Sequence, residues 1–294
     1  MQQPLSPKQV AQAIGVSESS LKRWCDQGLI PFHRTAGGHR RLDMPDVVAF
    51  LRSTGHSLVR PELLGLPPAT GQTDISAARV QDEFLAALVK GDEEVCSRIV
   101  SDLLIAGQEL ASICDRVIAA AFRDVGDRWD CGEVDIWEER RACEVSLQVL
   151  REVRSLVPVP EFDAAIAMGA TLDGDPYTIC STMAELVLRE VGFRTSALGS
   201  QLPFATLHQA VRKARPALFW LSVSSIRDIE AFIFEWNSFF ETCRACETAL
   251  VVGGRALADE EVRSRIRYCC YCDKMIDLAK YGSTIIERVR RTGH

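Results

Sequence analysis

The chain has 294 residues, 47% of them hydrophobic, which is enough for about two globular domains with buried cores. No apolar run approaches the ~18–20 residues that a membrane span needs, and the N-terminal stretch lacks the charged-then-apolar pattern of a signal peptide. A membrane partner is therefore excluded, and a cytoplasmic location is expected. The net charge of −6 argues against nucleic acid as a partner of the chain as a whole.

That average hides an asymmetry. Residues 1–55 contain seven Lys or Arg against four Asp or Glu, so this segment carries +3 and the remainder carries −9. The N-terminal segment is therefore the part expected to contact a polyanion.

Residues 1–55 have the pattern of two short helices joined by a turn at Gly15. Ser6 and Ser17 stand where helix N-caps belong, and Val10 and Ile14 lie on an apolar stripe. This predicts a helix-turn-helix. Its second helix offers four polar residues for base edges or phosphates: Ser19, Ser20, Lys22 and Arg23.

The next segment, FHRTAGGHRRL, surrounds two glycines with basic and polar residues and predicts a β-hairpin wing. The residues expected to contact DNA there are Arg34, Thr35, His39, Arg40 and Arg41. Through SLKRWCDQGLIP and RTAGGHRRL, residues 5–52 resemble the winged helix-turn-helix of the MerR family. The resemblance implies double-stranded promoter DNA as a partner. A helical pair that docks another protein is the alternative.

Residues 56–76 are rich in proline and glycine and are predicted to be a linker that buries no face. Residues 77–158 then repeat apolar positions every three or four residues in four stretches, which predicts a four-helix bundle. Residues 159–294 alternate apolar strands with helices and predict a Rossmann-like α/β domain with a five-stranded parallel sheet. Ligands of such a sheet bind at the carboxyl ends of its strands.

The bundle contains WDCGEVDIWEERRA, which resembles the helical cap of cobalamin domains of the methionine-synthase and CarH type. In that pattern a tryptophan is followed, after nine residues, by Glu-His, and these residues cover the upper face of the corrin ring. Trp129 and Glu139 match the pattern, but Arg140 stands where the family has histidine. The alternative is that Trp129 and Trp137 are bundle core and that Glu139 lies on a solvated helix face.

The α/β domain resembles the cobalamin-binding Rossmann-like domain, whose motif is Asp-x-His-x-x-Gly, then Ser-x-Leu or Ser-x-Thr, then Gly-Gly. In this chain 41 residues separate Cys180 from Ser222, and 28 separate Ser224 from Gly253. The matching positions are Asp175, Tyr177, Cys180, Ser222, Ser224, Gly253 and Gly254.

Two positions of that motif differ in chemistry. Tyr177 replaces the cobalt-binding histidine, and a phenol, whose pKa is about 10, is a poor cobalt ligand at neutral pH. Cys180 replaces the glycine beside the nucleotide tail. We therefore expect a regulator that folds, assembles and binds DNA without cobalamin, and that does not respond to light.

The cysteines offer other chemistry. Cys243 and Cys246 end one helix, and Cys269 and Cys270 lie in a fifth strand predicted near residues 268–273, so the four are expected to approach one another as a zinc site or a redox pair. Buried, unreactive cysteines are the alternative. Haem in place of cobalamin, held by His208, Tyr177 or a cysteine, is a further possibility.

Taken together, these patterns resemble MerR-family regulators of the CarH/LitR type and predict a transcription regulator without catalytic residues. Its cobalamin-type module is expected to mediate assembly into a dimer or tetramer, and to take part in sensing. The alternatives are a cobalamin- or haem-dependent sensor-regulator of light or redox state, and a corrinoid carrier in methyl transfer.

Overall fold

The computed structural model describes residues 4–71 and 77–292, and it divides into two compact units between Pro158 and Val159. Within the described residues, no helix combines the length and the hydrophobicity required to cross a membrane.

The first unit begins with three helices and a two-stranded hairpin. These are α1 (Pro7–Ala13), α2 (Glu18–Asp26), β1 (His33–Arg34), β2 (Arg40–Arg41) and α3 (Met44–Thr54). Ser6 and Ser17 accept backbone N–H groups of their helices, as the sequence predicts for N-caps. The strands pair antiparallel. Apolar side chains of all three helices are fully buried, which holds the small domain together.

The segment after α3 differs from the prediction of a linker without a buried face. It forms a 3₁₀ turn at Pro61–Leu64, and Leu58, Leu64 and Leu66 are buried. The Val59 and Arg60 N–H groups both donate to the Ala13 carbonyl at the end of α1, at 2.7 and 3.0 Å. Three spaced leucines give no helical or strand period, so a periodicity argument overlooks them. The rest of the predicted linker, residues 72–76, lies outside the described residues.

The remainder of this unit is helical. Its helices are α4 (Ala77–Lys90), α5 (Glu93–Ile105), α6 (Leu110–Ile113), α7 (Ala119–Asp130) and α8 (Ile136–Val153). Helices α6 and α7 are joined by a π turn at Cys114–Ile118, so they form one continuous rod. The predicted four helical stretches correspond to α4, α5, the α6–α7 rod and α8. Helix α3 packs on α5, where Arg52 Nε donates to the Leu104 carbonyl at 2.6 Å.

The second unit is an α/β domain around a parallel sheet. Its strands are β3 (Ile166–Thr171), β4 (Arg194–Ala197), β5 (Leu218–Ser222), β6 (Ala249–Gly253) and β7 (Cys270–Tyr271), in the order β4-β3-β5-β6-β7. Its helices are α9 (Ile179–Val191), α10 (Phe204–Ala214), α11 (Ile229–Ala245), α12 (Glu260–Ser264) and α13 (Met275–Thr292). The five-stranded parallel sheet confirms the predicted fold class.

Each face of this sheet has its own core. Phe219 and Leu221 of β5 pack with α10 and α11, whereas Leu218 and Trp220 point the other way and pack with α9 and α13. Strand order reverses between β3 and β5, so the loops that leave these two strands open a crevice at their carboxyl ends. The residues of the cobalamin-like motif lie in these loops or directly beside them.

Candidate functional site

Helix α2 separates its buried and exposed faces as the sequence predicts. Leu21 and Cys25 are buried, whereas Ser19, Lys22 and Arg23 are exposed. The Ser17 hydroxyl accepts the Ser20 N–H at 3.1 Å and lies 2.9 Å from the hydroxyls of both Ser19 and Ser20. The start of the helix therefore carries a cluster of three hydroxyls, followed by a basic pair. Lys22 Nζ lies 2.7 Å from Glu18 Oε1.

The wing is a tight hairpin that is tied to α2. The Thr35 hydroxyl accepts the His39 N–H at 3.2 Å, and Gly38 turns the chain with φ of +78°. Arg40 reaches back to α2, where its guanidinium lies 2.6 Å from Asp26 Oδ1 and 5.1 Å from the centroid of the Phe32 ring. Arg40 therefore fixes the wing against the helix.

The other basic residues of the wing have different surroundings. Arg34 is exposed, donates to the Gly38 carbonyl at 3.2 Å, and its guanidinium lies 5.8 Å from the centroid of the Phe32 ring. His39 is exposed and Arg41 is half-buried. Asp26 could not be predicted as part of this surface, because it lies fourteen positions from Arg40 and no local sequence pattern links the two.

In the second unit, Asp175 closes the crevice between the β3 and β5 loops. Its side chain is fully buried. Asp175 Oδ1 accepts the Tyr177 N–H at 3.1 Å, and Oδ2 accepts the Ser224 N–H at 2.5 Å. The Thr171 hydroxyl donates to the Asp175 carbonyl at 2.6 Å. One carboxylate thus holds two loops together through backbone groups, which is a strong, charge-assisted arrangement.

Tyr177 lies in the same loop, and Cys180 lies at the start of the helix that follows it. Both are exposed, and Cys180 is the second residue of α9. Gly174 turns the loop with φ of +79°, and a Cβ at this position would lie 2.8 Å from Arg227 Nε. Arg227 is a further residue at the crevice that the motif does not include.

Gly253 and Gly254 are required by the protein's own backbone. A Cβ at Gly254 would lie 2.4 Å from the Val223 carbonyl oxygen, and one at Gly253 would lie 2.6 Å from that of Cys272. Gly254 also has φ of +108° and ψ of 157°, a region essentially restricted to glycine. The turn after β6 therefore packs backbone to backbone against the β5 loop and the end of β7.

Ser222 differs from these motif residues in the hydrogen bonding of its side chain. It is buried, and its hydroxyl hydrogen-bonds to none of the residues that the structure describes. Beside it in β5, the Trp220 indole covers Gly169 so closely that a Cβ there would lie 2.0 Å from the ring. The indole N–H donates to the Ser181 hydroxyl at 2.9 Å, so the interior between β5 and α9 is filled by a fixed aromatic ring.

These observations test whether the domain suits a corrinoid. The orphaned Ser222 hydroxyl is a feature that fits a buried ligand. The loop position that should offer imidazole offers the exposed phenol of Tyr177, and Asp175 and the glycine pair already serve the fold. The residues present do not fit cobalt coordination by this loop.

The cap residues lie at the junction of α7 and α8. Trp129 is 50% exposed and Trp137 is 58% exposed, so the alternative that places them in the bundle core is wrong.

Glu139 has two polar neighbours on α8. Arg140 Nε lies 3.4 Å from Glu139 Oε2, and the Cys143 thiol donates to Glu139 Oε1 at 3.4 Å. Burial and the Glu139 carboxylate raise the pKa of Cys143 to about 12. Arg141 lies 4.8 Å from the centroid of the Trp137 ring.

The predicted zinc site is not formed. No group of three or more His, Cys, Asp or Glu side chains within residues 4–71 and 77–292 is placed to hold a metal ion. Cys243 and Cys246 pack on the α10–α11 side of the sheet, whereas Cys270 packs on the α9–α13 side and Cys269 is exposed. The sheet therefore separates Cys270 from Cys243 and Cys246, whereas Cys269 lies near Cys243: burial raises the pKa of the Cys243 thiol, and the nearby Cys269 raises it further.

His208, considered as a haem ligand, is part of a helix contact. Its Nδ1 lies 2.7 Å from the Thr242 hydroxyl, and its ring meets the edge of Phe239, so it lies between α10 and α11. Burial and the neighbouring Arg212 lower the pKa of His208, which favours the neutral ring. Tyr177 precedes α9 on the opposite face of the sheet, so the described geometry does not unite the two residues.

Comparison with known proteins accounts for this combination of modules. A family model described as a helix-turn-helix domain matches residues 4–55, and one described as a B12 binding domain matches residues 80–154. The HTH-type transcriptional repressor CarA of Myxococcus xanthus is 25% identical over 266 residues, which cover 87% of this chain and 88% of the repressor. CarH of the same organism is 24% identical over 240 residues, covering 76% of this chain and 79% of CarH.

The chain is homologous to the CarA and CarH repressors. This confirms the resemblance that the two sequence motifs predict. The solved monomethylamine corrinoid protein of Methanosarcina barkeri superposes with a TM-score of 0.60 and 15% identity, covering 71% of this chain and all of that protein. At such low identity it shows a shared fold alone. The B12-domain match itself lies in helices α4 to α8.

Proposed function

We propose that this chain is a DNA-binding transcription regulator that acts as an oligomer, and that its cobalamin-type domain keeps the fold of its CarA- and CarH-like relatives without coordinating cobalt. The observation that carries the proposal is the winged helix: Ser19, Lys22 and Arg23 of α2 and Arg34 and His39 of the wing are all exposed, on a domain whose apolar side chains are buried.

The arrangement suits a duplex. A recognition helix places its first residues in the major groove, where the hydroxyl cluster at Ser17, Ser19 and Ser20 can meet base edges. The basic pair that follows and the wing are suited to phosphates on either side. Arg40 acts as a positioning residue, because its pairing with Asp26 sets the angle between wing and helix.

Assembly follows from the small number of such contacts. One short helix and one wing neutralise only a few phosphates, so useful affinity requires two or more copies on adjacent half-sites. The cap surface provides a route to assembly, since Trp129, Ile136 and Trp137 are all at least half exposed. We assign this apolar surface to contact with a second copy of the chain.

Two experiments test the proposal. Selection from sheared genomic DNA with full-length protein should enrich a discrete set of sites, and full-length protein in which Trp129 and Trp137 are replaced by Ala should bind those sites more weakly while folding normally. Both side chains are at least half exposed, so their removal should leave the fold intact. Failure of the full-length protein to exceed its non-specific affinity on any enriched site would refute the regulator.

The orphaned Ser222 hydroxyl and the B12-domain match favour a second candidate, a cobalamin- or haem-dependent sensor-regulator. Absorption spectra after incubation with adenosylcobalamin or haemin, followed by gel filtration in dark and in light, separate the two. We expect neither chromophore to co-elute and no change in mass on illumination. Stoichiometric corrinoid or a Soret band in the protein peak would establish the sensor.

A further inference from the structure

Three cysteines lie in and beside the last strand of the sheet, β7, and two of them form a pair. Cys270 and Cys272 are two positions apart, so their side chains point to the same face of β7, and their sulfur atoms lie 3.7 Å apart. Both pack against the core formed with α9 and α13, next to Met275 and Tyr281. Cys269 is exposed.

Both members of the pair are half-buried, so a small oxidant can reach them while larger molecules are hindered. Burial raises the pKa of Cys272, and the neighbouring Cys270 raises it further. Burial, followed by the nearby Cys269 and Cys270, also raises the pKa of the Tyr281 phenol. Cys272 is therefore held as a thiol, and we assign the first reaction to the other member of the pair, Cys270.

The cysteine pair is connected to the Gly253–Gly254 turn at the carboxyl end of β6. The Cys272 N–H donates to the Val252 carbonyl at 2.8 Å, which extends the short β6–β7 pairing by one bond. The Cys272 carbonyl oxygen lies so close to Gly253 that a Cβ there would be 2.6 Å away. Any movement of the Cys270–Cys272 backbone therefore reaches Gly253 directly.

We propose that Cys270 and Cys272 form a dithiol that a small hydroperoxide oxidises to an intrachain disulfide, and that this disulfide loosens the Gly253–Gly254 turn. The coupling follows from geometry. A disulfide requires sulfur atoms about 2.05 Å apart and Cβ atoms about 3.8 Å apart, closer than an extended strand places alternate residues. Residues 270–272 must therefore leave the extended conformation that pairs them with β6.

The chemistry has two steps. The Cys270 thiolate attacks one oxygen of the peroxide, the O–O bond breaks, and the departing oxygen takes a proton and leaves as water or an alcohol, so that Cys270 becomes a sulfenic acid. The Cys272 sulfur then attacks the Cys270 sulfur, and the sulfenic hydroxyl leaves as water with the Cys272 proton. Two thiols lose two electrons, and the peroxide accepts them.

The test uses full-length Cys269→Ser protein, in which the tryptic peptide between Arg267 and Lys274 contains only the proposed pair. Treatment with hydrogen peroxide should reduce the mass of this peptide by two hydrogen atoms, and a dithiol reductant should reverse the change. On the unmutated protein, phenylarsine oxide, which bridges close thiols, should block alkylation of two cysteines in the same peptide.

The matched control is Cys269→Ser combined with Cys270→Ser, which should show neither the mass change nor the arsenical block. Amide hydrogen exchange across residues 250–257 should become roughly tenfold faster on oxidation of the Cys269→Ser protein and should not change in the control. Retention of two alkylatable thiols after peroxide treatment, oxidation of Cys270 to sulfonic acid alone, or unchanged exchange in oxidised protein would each overturn the proposal.

Discussion

The winged helix and the loops of the parallel sheet both match known motifs, but their motif residues face different surroundings. In the wing and α2, Arg23, Arg34 and His39 point into solvent and contribute little to the core. In the sheet loops, Asp175 and Gly254 point inwards, where they bind or contact the protein's own backbone.

The difference teaches how far a motif supports a function. Exposed motif residues contribute little to folding, so their pattern argues for a partner. Inward-facing motif residues are accounted for by the fold that depends on them, whether or not a ligand binds. The cobalamin-like spacing of this chain is therefore evidence for the fold, whereas the basic winged helix is evidence for function.

The strongest test of this comparison is Gly254→Ala. The added Cβ would collide with the Val223 backbone, and the backbone angles at this position suit glycine alone, so we expect a loss of about 3 kcal/mol or more, or failure to fold. Urea denaturation of the protein without any ligand measures the loss.

Gly192→Ala is the matched control, because its φ is +115° but no atom lies within 4 Å of an added Cβ. Conformational strain alone should cost it about 1–2 kcal/mol. Equal losses in the two variants would show that Gly254 is not needed for close backbone packing.

Asp175→Ala should have the next largest effect. It would leave the partly buried N–H groups of Tyr177 and Ser224 without their charged acceptor, which we expect to cost about 3 kcal/mol of stability. Asp173→Ala, an exposed carboxylate in the same loop, should change stability by less than about 0.5 kcal/mol. Normal stability of Asp175→Ala would mean that Asp175 is retained for a ligand.

Substitutions on the exposed surface of the winged helix should have a smaller effect, which is on DNA affinity and not on stability. Replacing Arg34 and Arg41 by Ala should lower DNA affinity about tenfold on specific and non-specific sequences alike, and should reduce the salt slope by about one for each lost phosphate contact. Fluorescence anisotropy at several salt concentrations measures both quantities. Arg244→Ala, an exposed arginine of the second unit, removes charge without this effect. A sequence-selective loss would contradict phosphate contacts.

Much of the fold could be predicted because its elements have strong periodicity. The alternation of strands and helices predicted for residues 159–294 agrees with the structure, since apolar runs such as the one that forms β6 are bounded by glycine. The short helix Glu260–Ser264 was not predicted, because five residues are too few to establish a period.

The site was harder to predict, because contacts between residues that lie far apart in the sequence leave no local sequence pattern. The Asp26–Arg40 pair and the buried linker leucines belong to this class. The cysteine pair was different: alternation along a strand places Cys270 and Cys272 on one face, so period two alone could have selected them over Cys243 and Cys246.

The smallest predicted effect is that of Ser222→Ala. This variant distinguishes a regulator that does not coordinate cobalt from a cobalamin- or haem-dependent sensor-regulator. Its hydroxyl is buried and receives no hydrogen bond from the described residues, so it carries the cost of desolvation without compensation. If nothing else occupies this interior, Ser222→Ala should leave stability unchanged or raise it by up to about 1 kcal/mol, and DNA affinity should not change.

Thr171→Val is the contrasting variant, because the Thr171 hydroxyl donates to the Asp175 carbonyl and its loss should destabilise the domain by about 1 kcal/mol. Denaturation of both variants, alone and with adenosylcobalamin, gives the answer. A corrinoid that stabilises the unmutated protein and not Ser222→Ala would show that the buried hydroxyl is held for a ligand, and it would overturn the view that the sheet loops preserve only a fold.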